Sequence, residues 1–288
     1  MYLKHLLISS LAAGAFAAPS ESTTKACNEI SKALPKKVSL PYTINFNSES
    51  SGYWSTALRE IKPACVISAK SAEDVSTAVT ILNKYPDVKF AAKSGGHDPN
   101  PNHATAGDGV LISLSEMVGA TYDAEKKIAY VKPGGEWNDV ISQLNKDGVT
   151  IAGGRLGLVG VGGLLTQGGI SFLSAQYGLA ADNIVSWEMV NHNGTIVNID
   201  AETQPDLAVA LRGSGSQFGK SQTSVPSTSS NNYQESSQNS LSRPTPSAKS
   251  GAVSAHTTNP KPMNSTQPCT ISFPTATKTP RPPSSPPV

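Results

Sequence analysis

The chain has 288 residues, enough for one large domain or two ordinary ones. Hydrophobic residues make up 38%; glycine raises this to about 46%, inside the globular range, so a sizeable core is possible. Charged residues are only 15%, and 23 basic against 21 acidic side chains leave a net charge of +2. This excludes a nucleic-acid surface of clustered Lys and Arg and a polybasic membrane patch, and three cysteines are too few for a disulfide scaffold.

Residues 1–18 begin with Lys4 and His5, run through Leu6-Leu7-Ile8 and Leu11-Ala12-Ala13, and end in small residues around Ala15-Phe16-Ala17. A basic start, a short apolar stretch and an A-x-A site read as a secretory signal peptide; the alternative is a buried N-terminal helix. The stretch is shorter than the roughly 20 apolar residues of a membrane span, and no later segment is long enough. A secreted, extracellular chain could form a Cys27–Cys65 disulfide, with Cys269 left over; spacing alone does not establish the pairing.

Helix-like and strand-like pieces then alternate through the expected domain, residues 24–219. Ala64–Ile67 reads as a strand, and Ser71-Ala72-Glu73-Asp74 as a helix start, with Val75, Val79 and Leu82 at helical spacing up to Tyr85. Val88–Ala92, Val110–Ile112 and Ile128–Val131 are further strands, the last stopped by Pro133-Gly134. Trp137, Val140, Ile141 and Leu144 form a helical stripe ending near Gly148. Ile184–Val190 and Thr195–Ile199 are joined by His192-Asn193-Gly194, a hairpin signal. Hairpins mixed with helix-linked strands indicate an α+β fold more than a doubly wound parallel sheet. No internal repeat is found.

Residues 220–288 are dominated by Ser, Thr and Pro, with large apolar residues scarce and aperiodic. Such a segment cannot bury enough surface to offset its ordering entropy, and reads as a disordered tail or an O-glycosylated stalk. Two N-x-[ST] sequons occur, at Asn193 and Asn264. Asn193 is accounted for by turn chemistry, and Asn264, in the tail, is the better glycan site.

The chemistry lies in two glycine loops. Lys93-Ser94-Gly95-Gly96-His97-Asp98 follows the strand ending at Ala92, and Gly160-Val161-Gly162-Gly163, continuing to Gly168-Gly169, precedes an apolar, helix-like run from Ile170 to Leu173. Glycines in such places let backbone N–H groups approach a ligand, and successive N–H groups bind anions, a diphosphate above all. Each loop alone is weak, since glycines also serve tight turns.

Two other readings are rejected. Gly213–Ser221 resembles a phosphate-binding P-loop, but the first required glycine falls on Ser214 and no buried strand directly precedes it. His97, Asp98 and His103 could be metal ligands, but Pro99, Asn100 and Pro101 between them break any helix and the spacing fits no site that follows from ligand mechanism, so a plain turn is the better reading. No metal is expected.

Residues from about Pro63 to Gly219 closely resemble the FAD-binding domain of the secreted fungal flavin oxidases related to berberine-bridge enzyme, the vanillyl-alcohol-oxidase (PCMH) type. The matching pieces are Lys93–His97, Gly153-Gly154-Arg155, Val159–Gly163, Gln176–Asn183, Pro205-Asp206-Leu207 and Ala210–Gly213. The resemblance implies FAD held between two α+β subdomains, with Ser94, Gly95 and Gly96 cradling its diphosphate between Lys93 and Asp98. It implies a covalent bond from His97 to the flavin 8α-methyl. Gly160, Val161, Gly162, Gly163, Gly168 and Gly169 would line the cofactor, with Asp182 and Asn183 nearby.

The departures also carry expectations. Leu156 stands where many relatives have a second anchoring cysteine, so only the histidyl link is possible. Gln167 adds bulk where relatives often have glycine, and Ala208-Val209 replace an aromatic pair, which removes core volume from the last helix. The resemblance stops at Gly219. A chain cut short after the FAD-binding domain would lack the relatives' substrate-binding region and general base, and the tail would then derive from a frameshift, a retained intron or a truncated gene model. The resulting expectation is a secreted oxidoreductase or its remnant, with a small-molecule substrate, O2 as electron acceptor, and no nucleic-acid partner. The alternative is a non-catalytic flavin-binding module on a glycosylated stalk.

Overall fold

The computed structural model describes residues 18–215, 217, 220–226 and 228–229. The chain divides into two units, 1–246 and 247–288, and the described residues all belong to the first. Most of the expected signal peptide, the tail beyond 229, Asn264 and Cys269 lie outside them.

The first lobe starts with helix α1 (Glu21–Ala33), ahead of the expected boundary at Thr24 because the Ser20 hydroxyl accepts the Thr23 N–H at 3.1 Å and caps it. Strand β1 (Val38–Ser39), helix α2 (Ile44–Ser51), strand β2 (Cys65–Ser68), helix α3 (Ala72–Leu82), and strands β3 (Phe90–Lys93) and β4 (Val110–Ser113) follow. The sheet order is β1-β2-β4-β3, with β2, β4 and β3 parallel and β1 antiparallel. Both faces are covered. Cys65, Ile67, Val110 and Ile112 pack against α1 and α3, while Val66, Leu111 and Ala91 pack with Phe46 of α2. Strands buried on both faces read as unbroken apolar runs, so these were visible in the sequence.

Helix α3 follows the expected stripe, but its start is not capped by the Ser71 side chain. Asp74 in its first turn instead ties the helix to the chain ahead of it, accepting the Lys70 N–H at 2.9 Å and the Lys37 ammonium at 2.6 Å, and its charge suits the helix N-terminus. The Cys27–Cys65 disulfide is formed and ties α1 to β2 across a Cα separation of 6.2 Å.

The second lobe contains strands β5 (Ala120–Asp123) and β6 (Ile128–Val131), helix α4 (Trp137–Leu144), strand β7 (Val149–Thr150), and helices α5 (Val161–Thr166) and α6 (Ser174–Tyr177). Strands β8 (Ser186–Val190) and β9 (Ile196–Asp200), helix α7 (Pro205–Ala210), and strands β10 (Lys220–Pro226) and β11 (Thr228–Ser229) complete it. The five-stranded sheet runs β5-β6-β10-β8-β9 and is antiparallel throughout. Its core gathers Trp137, Val140, Leu165, Trp187 and Ile199. The mixture of a largely parallel and an antiparallel sheet is the expected α+β class.

Three expectations need correction. Residues 220–226, assigned to the tail, form the middle strand of this sheet, and 228–229 pair with β7. Backbone groups on β6 and β8 supply that ladder whatever the side chains are, so a polar sequence can fill it. The run Ile170–Leu173 is not helical, and Ile170 and Phe172 are 58% and 67% exposed. The helix begins earlier, within the second glycine loop itself, as α5. In α7, Ala208 is buried but Val209 is 67% exposed, so only the first of the two small residues removes core volume. Among the described residues, no helix is long and apolar enough to cross a membrane.

Candidate cofactor site

The first glycine loop leaves the carboxyl end of β3, the end of a parallel sheet where ligands characteristically bind. The second loop starts α5, with Gly160 at its N-cap. The two meet backbone to backbone. A Cβ on Gly95 would stand 2.6 Å from the Gly160 Cα, and one on Gly160 would stand 2.3 Å from the Gly95 nitrogen. Side chains at either position would push the lobes apart.

Ser94 latches this contact. Its hydroxyl donates to the Pro133 carbonyl at 2.5 Å and accepts the Gly162 N–H at 3.2 Å, joining the lobes across the loops. Gly162 also donates to the Pro133 carbonyl at 3.0 Å, and Val161, buried in the second core, donates to the Gly135 carbonyl at 2.9 Å. Gly163 faces open space: a Cβ there would meet nothing within 4 Å.

Beyond Ser94 the bonding pattern changes. Among the described residues, no acceptor faces the N–H groups of Gly95, Gly96 or His97. Gly96 is buried and has φ +68°, the left-handed conformation that makes consecutive N–H groups converge. Buried backbone donors are nearly always paired, so the buried Gly96 N–H, flanked by the open N–H groups of half-buried Gly95 and exposed His97, fits an anion such as a diphosphate.

His97 is exposed, and its ring stacks on Trp54 with centroids 5.2 Å apart and planes 21° from parallel. Trp54 is 64% exposed yet held in place, because its N–H donates to the Gly96 carbonyl at 3.1 Å. The preceding Tyr53 is buried; its hydroxyl donates to the Ala104 carbonyl at 2.8 Å, and its carbonyl accepts from Arg59.

Lys93 does not face the loop. Its buried ammonium donates to the Glu49 carbonyl at 2.6 Å, lies 3.1 Å from the Glu49 carboxylate, and sits over the Tyr53 ring. Glu49 in turn accepts from the hydroxyls of Ser113 (2.6 Å) and Ser115 (2.5 Å). Burial pushes the Glu49 carboxyl up, but these two hydroxyls and the Lys93 ammonium outweigh it and hold it below its ordinary range. Lys93 therefore anchors the base of the loop from inside the first lobe. Asp98 also has its own partners, the His103 ring nitrogen at 2.8 Å and the Asn100 N–H at 2.9 Å.

The remaining expected residues form a second cluster. Gly168 and Gly169, both at positive φ, accept from the N–H groups of Ala181 and Ala180 at 2.8 Å. Gly169 packs on Leu164 of α5, where a Cβ would stand 2.4 Å from that side chain. Asp182 accepts the Leu179 N–H at 2.8 Å, and Asn183 donates to the Tyr177 and Leu179 carbonyls. These two polar residues brace their own turn. Gln167 lies against Gly215, and Leu156 is 66% exposed.

Sequence reasoning missed Glu49, Tyr53, Trp54 and Pro133. None belongs to a spaced motif; each acts through a tertiary contact with a loop far along the chain. The Gly153-Gly154 pair was noticed, but its reason was not: both glycines lie against the fully buried Trp137 ring, where a Cβ would come within 2.4 Å.

Residues 63–200 match the FAD binding domain family. Over this segment, just under half of its length, the chain is similar to the FAD binding domains of FAD-linked proteins. It is 43% identical over 183 residues to an uncharacterized FAD-linked oxidoreductase of Arthroderma benhamiae, covering 64% of this chain and 37% of the relative. A FAD-dependent monooxygenase of Fusarium proliferatum is 38% identical over 167 residues, covering 58% and 32%. Among solved structures, 6-hydroxy-D-nicotine oxidase from Arthrobacter nicotinovorans superposes with a TM-score of 0.61 at 27% identity, covering 67% of this chain and 42% of that one. A berberine-bridge-enzyme-like protein of Physcomitrella patens shares the fold, with a TM-score of 0.64 at 24% identity over 70% and 44% of the two chains. The chain thus spans about two fifths of the length of the relatives it matches. The family that the two glycine loops resembled in the sequence is the one found.

Proposed function

We propose that this chain is the FAD-binding part of a secreted oxidoreductase that holds its flavin through one covalent bond, from an imidazole nitrogen of His97 to the 8α-methyl carbon. The observation that carries the reading is the run of unpartnered N–H groups at Gly95, Gly96 and His97, beside the point where the two glycine loops touch. In this reading those groups hold the diphosphate oxygens, Ser94 keeps the lobes closed, and Trp54 fixes the plane of the His97 ring. Bound FAD would supply a ring that accepts a hydride from an alcohol or amine carbon of a small substrate and passes the electrons to O2. Leu156 has no thiol, so His97 is the tether in this reading. Secretion is supported by the leader-like residues 1–18 and by the Cys27–Cys65 disulfide, a bond of oxidising compartments.

The test compares secreted wild-type protein with His97→Ala by absorbance before and after acid precipitation. Wild-type colour should stay with the polypeptide, and the variant's should pass into the supernatant. Free flavin from acid-treated wild type contradicts the covalent link. Bleaching of the bound flavin by an alcohol or amine then separates an oxidoreductase from a module that only binds.

A further inference from the structure

We propose that Asn193 carries an N-linked glycan, a modification that rests on the secretory placement proposed above. Asn193-Gly194-Thr195 is a sequon with no proline, and the structure places it at the tip of the β8–β9 hairpin. Turn chemistry accounts for only half of the Asn193 amide. Its Oδ1 accepts the Thr195 N–H at 2.9 Å, while its Nδ2 has no partner among the described residues. Asn193 and Thr195 are both exposed, and among the described residues no bond engages the Thr195 hydroxyl. The nucleophilic nitrogen and the hydroxyl two residues on, which together define the sequon, therefore both face solvent.

The surrounding backbone keeps them there. Ser76 of α3 donates to the Gly194 carbonyl at 2.6 Å, and Asn83, just past α3, donates to the His192 carbonyl at 2.9 Å. A Cβ on Gly194 would stand 2.2 Å from the Thr80 hydroxyl oxygen. The inner side of the tip is pinned to the helix, so the Asn193 side chain is left on the outer side, where a bulky sugar fits without displacing packed atoms. The donor is an oligosaccharide linked to a polyprenyl diphosphate. The sugar C1–oxygen bond breaks, a C1–Nδ2 bond forms, the amide loses one proton, and the diphosphate leaves with the bonding pair. No electrons are transferred to or from either partner.

Full-length wild type, Asn193→Gln, Thr195→Ala and Asn264→Gln are expressed in a eukaryotic secretory host and compared by intact mass before and after peptide-N-glycosidase. On digestion the wild type should lose a glycan mass at Asn193 that Asn193→Gln and Thr195→Ala both lack and Asn264→Gln retains, whether or not Asn264 carries a second one, with Thr195→Ser restoring it. Secreted wild type with Cys27 and Cys65 oxidised but no glycan at Asn193 overturns the inference and leaves the secretory reading standing. Wild type retained inside the cell with both thiols free overturns both.

Discussion

Gly95 and Gly160 touch through their backbones, one at the end of a parallel strand and the other at the start of a helix in the opposite lobe. This contact needs two residues without Cβ. Gly95→Ala or Gly160→Ala should destabilise the protein by about 1–3 kcal/mol through overpacking and should abolish FAD uptake. Gly163→Ala is the control: its Cβ meets open space on α5, so stability should hold or rise by up to about 1 kcal/mol. Thermal melting and FAD titration of the three variants check this.

How far the site could be read from the sequence follows from this contact. The glycines, Ser94 and His97 stood out because a short local pattern carries them. That Gly95 meets Gly160 did not, because their spacing along the chain says nothing about two lobes closing. Trp54 and Glu49 were invisible for the same reason. The parallel strands around Val66 and Leu111 were legible as unbroken apolar runs, whereas β5 (Ala120–Asp123) is too short and half-exposed to show a period. The strand at Lys220–Pro226 was misread because backbone pairing, not apolar side chains, recruits it.

The buried Glu49–Lys93 pair should make stability sensitive to acid. Because the folded carboxyl titrates below its unfolded value, its contribution is complete above the unfolded pKa and is lost as pH falls through the folded one. Glu49→Gln should flatten that acid limb of a stability–pH profile measured by urea unfolding. Lys93→Met should cost about 3–5 kcal/mol near neutral pH, because it leaves a buried carboxylate unpaired.

Trp54 is exposed and bonded to the loop only through its backbone, so Trp54→Ala should change stability by no more than about 0.5 kcal/mol. The fraction of flavin that survives acid precipitation should nonetheless fall, with Trp54→Phe restoring part of it. Equal fractions in wild type and Trp54→Ala would remove any role for the stacked ring.

Reducing the Cys27–Cys65 bond, which closes a sequence separation of 38 residues, should lower stability. The loss expected from chain entropy is about 4 kcal/mol. Urea midpoints with and without reductant measure it, and Cys27→Ala should match the reduced protein.

The most direct measurement is the FAD content of the purified full-length chain, read as flavin absorbance per polypeptide and followed by titration of any empty fraction with FAD. The two loops predict yellow protein that binds one flavin per chain, with binding lost in Gly95→Ala. A folded, colourless wild type that takes up no added FAD contradicts the account.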